Sequence, residues 1–471
     1  MISVQNLLQQ LSGNKIYLIL ILFFAVSCGG TKETIRNQPN RTAKTKASTS
    51  KRAGDRKPAK RVGSKVDTVE WTEKDPINGS GNSSGEMNAI DELSPVHKKR
   101  SYNLTAFIPF DTRSMEGAQI ADKSHPSSAY IHYYAGLKMG LAQLEQEGVN
   151  LQIKIKDSQA GSMTDKLKYS MQSDDAVIMA TTELKQIKEA AKMAKEKEVS
   201  LISPLKATIS INDNPYYLQL VPNANDHYYK MVEHATQRYD QKQIIVVGRN
   251  GNNTDKKRIK NFQKYNQTIN GAGAATLHEY YVEEDSLLNG VFAFNNIFLQ
   301  DKESIFIFPN RTSKDENYLR SCLRRLNVEK GFNKVIAYVM PIALNSDIIS
   351  FDYYYNLNMR VVKSTYVNPT DFKVQQFKRD YYAIYSTLPM DEAFEAYDMI
   401  RFVGRSLDKH GTNFQFRTPR GEGDYLQTAF DIRQKIPVSY KGGNEYPPIQ
   451  YFVNRNLDIL EFDGAKFTTS K

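Results

Sequence analysis

Two hydrophobic rhythms alternate along the chain from Tyr102 onward. Short runs of Val, Ile, Leu, Phe and Tyr predict strands at Asn103–Phe110, Leu151–Lys156, Ala176–Met179, Ser200–Ser203 and Tyr216–Val221. A second set falls at Gln243–Gly248, Thr276–Val282, Ser304–Pro309 and Lys334–Val339. Between them the spacing is helical. Tyr133, Leu137, Leu141 and Leu144 share one face, Glu183–Lys197 reads as a charged, Ala-rich surface helix, and Asp391–Lys409 carries Phe394, Tyr397, Ile400, Val403 and Leu407 on one side. Short strands such as Ile449–Val453 finish the chain. Strands alternating with helices build a mostly parallel sheet covered by helices, and two such sets predict two α/β lobes.

A different pattern precedes this region. Ile16–Val26 is an apolar run of eleven residues behind Lys15, too short for the roughly 20 residues of a membrane-spanning helix but suited to a signal-peptide core. Residues 1–27 are therefore expected to be a removable signal peptide. Ala25-Val26-Ser27-Cys28 resembles the bacterial lipobox, which implies a lipidated Cys28 at the mature N-terminus and attachment to a membrane through that lipid. Gly29, where an aspartate would favour the inner membrane in some bacteria, and the lack of an acidic run after Cys28 point to the periplasmic face of the outer membrane.

Residues 28–100 read as a flexible tether. Between Thr31 and Lys65 there are twelve Lys or Arg against two acids, with only Ile35 and Val62 as large aliphatics, a composition that cannot bury a core. As a random coil a tether of this length spans about 45 Å and, stretched, more than ~200 Å. The same segment supplies twelve minus two, or +10, of the formal +11 charge, so the remainder is nearly neutral. Its basic residues suit anionic head groups or other envelope polyanions, or merely a solvated spacer. Nucleic acid is excluded as a partner on two grounds: export, and a basic run with no interleaved aromatics. Val66–Thr72 interrupts the tether with the only tryptophan, Trp71, either a docking element or a hydrophobic bead in a linker.

Catalytic chemistry is not legible. With Cys28 lipidated, Cys322 is the sole thiol, and its neighbours Leu319, Leu323 and Leu326 place it on an apolar helix face as core. His278-Glu279 lacks a second histidine at metalloprotease spacing, and the histidines form no ligand cluster, so no metal or cofactor is expected. Gly271–Ala275 precedes a strand instead of following one and reads as a turn, not a dinucleotide loop. The tyrosine clusters Tyr353–Tyr355 and Tyr381-Tyr382 fit either interfaces or half-buried strand and helix positions.

The order of local motifs from Ser101 to about Gly464 resembles the type I periplasmic solute-binding fold in its Leu/Ile/Val-binding-like branch, especially its lipid-anchored envelope members. The residues that carry the resemblance are Leu104–Phe110 ending in Pro109-Phe110, Tyr133-Tyr134-Ala135-Gly136-Leu137 through Glu147-Gly148-Val149 to Asp157, and Val177–Thr182. Ser200–Pro204, Asn214–Pro222 and Ala396-Tyr397-Asp398 complete it. The resemblance implies an α/β protein of two lobes, joined by three crossings, with a mostly parallel sheet in each. Residues 101–224 would begin lobe one, 225–366 would form lobe two, and 367–471 would return to lobe one and end in the C-terminal strands.

In such a fold a ligand sits beyond the carboxyl ends of the strands. Here those ends are Asp111, Thr112, Thr181, Thr182 and Ser203–Thr208 in one lobe, and Arg249, Asn250, Asn310, Arg311 and Pro341 in the other. Ligand contacts are expected at Asp111, Thr181, Thr182, Ser203, Thr208, Arg249 and Asn310; of these, Thr182 and Ser203 occupy places matching the hydroxyls that hold the ligand in amino-acid-binding relatives. The hydroxyls equally suit caps of the following helices. Lys206-Ala207 stands where amino-acid-binding relatives favour small residues followed by a hydroxyl, which counts against an amino-acid ligand. The expected function is that of a non-catalytic envelope lipoprotein binding a small solute between its lobes. The alternative is a scaffold or regulator that uses the same fold to grip a protein of the cell-wall or outer-membrane machinery. Fold alone does not separate them.

Overall fold

The computed structural model describes residues 98–111, 127–289, 292–294, 297–344, 348–417, 424–427, 429–436, 448–464 and 466–470. All of them belong to one unit of the chain, Val69–Lys471. The expected signal peptide, Cys28, nearly all of the expected tether, Trp71 and Thr112 lie outside the described residues.

The first half-fold runs β1 (Tyr102–Ile108), α1 (Ser128–Gln146), β2 (Leu151–Asp157), α2 (Met163–Ser173), β3 (Ala176–Met179), α3 (Leu184–Lys197), β4 (Ser200–Ser203) and β5 (Tyr217–Gln219). The chain then crosses into α4 (Ala224–Arg238), β6 (Ile244–Arg249), α5 (Asn253–Asn270), β7 (His278–Val282), α6 (Glu284–Leu288), β8 (Ser304–Phe308), α7 (Glu316–Glu329), β9 (Val335–Val339), α8 (Asp352–Asn356) and β10 (Arg360–Lys363). A second crossing leads to α9 (Phe372–Tyr385), α10 (Asp391–His410), β11 (Ile432–Lys435) and β12 (Tyr451–Asn454), and a third to β13 (Asp458–Phe462) and β14 (Phe467–Thr469).

Two seven-stranded sheets result, in the orders β11-β12-β5-β4-β3-β1-β2 and β14-β13-β10-β9-β8-β6-β7. Pairing is parallel except at β11–β12, β10–β13 and β13–β14. The stretch 367–471, expected to return to lobe one, therefore divides. Its helices and β11–β12 rejoin the first sheet, and β13–β14 hydrogen-bond into the second.

Strands buried on both faces explain why the hydrophobic runs are nearly continuous. In lobe one, Leu104, Ala106, Ile178, Ile202 and Leu218 face α1 and α10, while Phe107, Val177, Met179 and Leu201 face α2 and α3. Lobe two repeats the plan. Ile245, Val247, Phe306 and Phe308 pack on α7 with its buried Cys322, and Ile244, Val246, Ile305 and Ile307 pack on α4 and α5. Each such side chain contributes about 2 kcal/mol relative to leaving it in water. As the helix-face spacing predicts, Cys322 is core, and burial pushes its thiol up to about 12.

α1 and α10 touch most closely where side chains are smallest. A Cβ on Gly136 would run into the Ala393 carbonyl, and one on Gly140 into the Ile400 side chain. This contact gives the Tyr133–Leu137 motif a packing role, because it seats α10, and with it the return segment, on lobe one.

Candidate functional site

The carboxyl ends of the parallel strands form a rim on each lobe, and each loop shows what its polar groups do. In lobe one the hydroxyls serve their own loops. Buried Thr181 accepts through Oγ1 from the Glu183 N–H at 3.1 Å, just ahead of α3. Ser203, fully buried, donates to the Lys206 carbonyl at 3.4 Å. Thr208 Oγ1 accepts from the Ser210 N–H at 3.1 Å. Such short-range bonds are the local turns that Ser and Thr favour. Thr182 and Lys206 are exposed, and so is Asp111, which sits at φ 49°.

One brace under this rim has no counterpart in the sequence reading. Gln219 on β5 is fully buried; its Oε1 accepts from the Thr208 N–H at 2.7 Å and its Nε2 donates to the Val221 carbonyl at 2.8 Å. The loop 204–208 is thus tied to the neighbouring strand. A polar residue in an otherwise apolar run, Tyr216-Tyr217-Leu218-Gln219-Leu220, was the available signal.

Lobe two carries charge at its rim, and that charge is closed on itself. Arg249 Nε donates to Asp255 Oδ2 at 2.7 Å and its Nη2 to Asp315 Oδ1 at 2.7 Å. Arg258 completes the ring, Nη1 to Asp255 at 2.8 Å and Nη2 to Asp315 at 3.3 Å. The guanidinium of Arg249 also lies 4.9 Å from the Tyr318 ring centre, a cation–π contact. Hydrogen bonding to Asp255 raises the Arg249 guanidinium further above its ordinary range. Burial acts to raise the Asp315 carboxyl, but the Thr312 hydroxyl and the charges of Arg258 and Arg249 outweigh it and hold the group at about 2. The network fastens β6, the first turn of α5 and the start of α7 into one piece.

Asn310, just past β8, is different. It is fully buried, and neither its Nδ2 nor its Oδ1 meets a hydrogen-bond partner among the described residues. Beside it the Tyr228 hydroxyl donates to the Pro309 carbonyl at 2.8 Å.

The remaining motifs are structural. Asn214 anchors its turn to the Ala191 carbonyl at 2.7 Å, and buried Asp398 of α10 accepts from the N–H groups of Leu426 and Gln427 at 2.9 and 2.7 Å. Gly271 ends α5 at φ 89°, and the Ala274 N–H closes the turn onto its carbonyl at 3.0 Å. The tyrosine clusters divide, with Tyr354 and Tyr381 buried and Tyr355 and Tyr382 exposed. Among the concavities of the described residues are one beside the lobe crossings and one on α1 and β2. Neither is lined by a predicted ligand residue. Among the described residues no group of three or more His, Cys, Asp or Glu side chains converges to hold a metal, and no helix is long and apolar enough to cross a membrane.

No family model and no curated protein matches the chain. Solved structures do. A branched-chain amino acid ABC transporter protein from Rhodospirillum rubrum superposes with a TM-score of 0.54 at 11% identity, over 79% of this chain and 100% of that one. The C-domain of LpoA from Haemophilus influenzae, described as a regulator of PBP1A, superposes with a TM-score of 0.50 at 9% identity, over 78% of this chain and 100% of that domain. Full-length LpoA from the same organism gives 0.50 at 8% identity, over 80% of this chain and 60% of that one. At these identities the likeness shows the fold: two lobes of the type I periplasmic-binding-protein kind.

Proposed function

We propose that this chain is a non-catalytic binding protein of the bacterial envelope whose two-lobed domain grips a protein partner. A single observation carries the reading. Arg249, the cation among the expected contacts, is closed on Asp255 and Asp315, while Thr181 and Thr208 accept and Ser203 donates within their own loops. A ligand carboxylate would have to displace Asp255 and Asp315 to gain the Arg249 charge. The fold shared with the LpoA C-domain, a regulator by description, is compatible with this use. A cell-wall synthase is the kind of partner the proposal names, and a lipid on Cys28, at the periplasmic face of the outer membrane, would hold the domain within reach of it.

Two experiments test the two halves. Photocrosslinkers at the exposed rim positions Thr182 and Lys206, introduced in living cells, should yield a discrete protein adduct; adducts equally frequent from an unrelated exposed position such as Lys192 would refute a rim-specific partner. Replacing Cys28 with Ser should release the protein from membranes and abolish lipid labelling, and unchanged retention would contradict the anchor.

A second reading, a small solute in the interlobe cleft, is favoured by the orphaned amide of Asn310. Thr182 and Asn310 would be its contacts that are not spent on the loop bonds and ion pairs above.

A further inference from the structure

A concavity of about 310 Å³ lies where the lobes are stitched together, apart from both rims. Its walls come from the second and third crossings and the segments beside them. Tyr366 follows β10, Tyr425 and Gln427 belong to the segment returning past α10, Asp458 opens β13, and Lys466 and Phe467 enter β14. Tyr366 binds the two sides together, its N–H donating to the Gln427 carbonyl at 2.8 Å and its hydroxyl to the Phe467 carbonyl.

Gln427 is 7% exposed. Its main-chain N–H is held by Asp398, yet its side-chain Oε1, buried in this wall, has no hydrogen-bond partner among the described residues. A buried acceptor left unpaired is costly, so a group that brings a donor to it gains twice, by making the bond and by ending the deficit. The charges in the wall are one of each sign, the Asp458 carboxyl and the Lys466 ammonium, the latter donating to the Thr370 hydroxyl at 3.2 Å. A ligand of either charge would leave one of them opposed, and a neutral one leaves neither. Tyr366, Tyr425 and Phe467 line the same space, half-buried and packed from behind against the two cores.

We infer that this concavity is a ligand site separate from the interlobe cleft, built for a neutral, hydroxyl-rich ring, a saccharide unit, whose C–H face lies on the aromatic side chains and whose hydroxyl donates to Gln427. A pyranose combines an apolar face with a belt of O–H donors, which is the pairing these walls present. Because the walls belong to both lobes and their connections, an occupant favours the hinge angle at which they close on it.

The test is titration of the full-length protein with N-acetylglucosamine, and in parallel with glucose, read by calorimetry and by saturation-transfer NMR. Saturable binding of at least one is expected. It should weaken at least tenfold in Gln427→Leu while the thermal midpoint holds or rises, because the orphaned acceptor is gone, and it should be unchanged in Asn310→Ala at the cleft. Thr469→Trp, at an exposed position on the mouth, is a second variant that should block binding without touching the buried wall. The inference is overturned if neither sugar binds at millimolar concentration, if both variants bind as the parent does, or if Asn310→Ala abolishes the signal.

Discussion

The rims of the two lobes solve the same problem with different chemistry. Lobe one satisfies its polar groups one at a time, hydroxyl to nearest main chain, with Gln219 bracing one loop from the neighbouring strand. Lobe two satisfies them collectively, two arginines from β6 and α5 sharing the carboxylates of Asp255 and Asp315. The first arrangement can be loosened loop by loop; the second stands or falls together. In lobe two the charges of Arg249 and Arg258 are turned onto Asp255 and Asp315, while exposed Lys206 stands at the lobe-one rim.

The largest expected effect is in lobe two. Asp255→Ala removes a fully buried carboxylate and leaves Arg249 and Arg258 with half their partners, so unfolding by denaturant should show a loss of about 3–5 kcal/mol. A loss under ~1 kcal/mol would mean that water already screens the ring, as at an exposed pair. Next comes lobe one. Gln219→Ala leaves the Thr208 N–H and the Val221 carbonyl without their partner and should cost about 2 kcal/mol, with faster hydrogen exchange confined to 204–208. If exchange rises across the whole first sheet instead, the brace supports the lobe and not only the loop.

A smaller effect distinguishes the lobes by pH. His234 on α4 is buried against the Tyr338 hydroxyl, at 2.7 Å, and Ser470. Burial, helped by the nearby charges of Arg238 and Lys230, lowers it from 6.5 to about 3. The unfolded chain therefore takes up a proton that the folded one refuses as pH falls from 6.5 towards 3, and lobe two loses stability over that window. Glu395 on α10 behaves oppositely. Burial, then repulsion from Glu392 and Asp391, raises it from 4.5 to about 8, so lobe one is favoured at low pH and loses stability as pH rises from 4.5 through 8. Thermal midpoints should show both limbs, the acid one flattened by His234→Gln and the alkaline one by Glu395→Gln. Identical profiles for parent and variants would contradict the assignment. The smallest effect is Thr182→Ala, an exposed change that should leave stability within about 0.5 kcal/mol.

The fold was largely legible where burial on both faces makes the pattern loud. β1 to β9 coincide with predicted runs to within two residues, and the helices around Leu137, Cys322 and Ile400 follow from spacing alone. What escaped is short, polar or at an edge. β10 is four residues, Arg-Val-Val-Lys; β11 is Ile-Arg-Gln-Lys at the margin of its sheet; and β13–β14 form an antiparallel pair whose sheet is decided by one crossing at 455–457 that no local pattern marks. Helix α9 had a readable signal, Val374, Phe377 and Tyr381 behind the N-cap Asp371, but its face is charged elsewhere. For the site, sequence order placed Thr181, Ser203, Thr208, Arg249 and Asn310 at strand ends. It did not say that four of them are already bonded, because hydrogen-bond partners such as Asp315 and Lys206 are set by loop geometry and not by residue type.

The central claim is that this cleft is not an amino-acid site, and calorimetric titration of the full-length protein with leucine, isoleucine and valine tests it most directly. The account predicts no saturable heat at millimolar concentration for the parent protein or for Asn310→Ala. Saturable binding in the micromolar range that Asn310→Ala and Ser203→Ala each weaken tenfold or more would contradict it and restore the solute-binding reading.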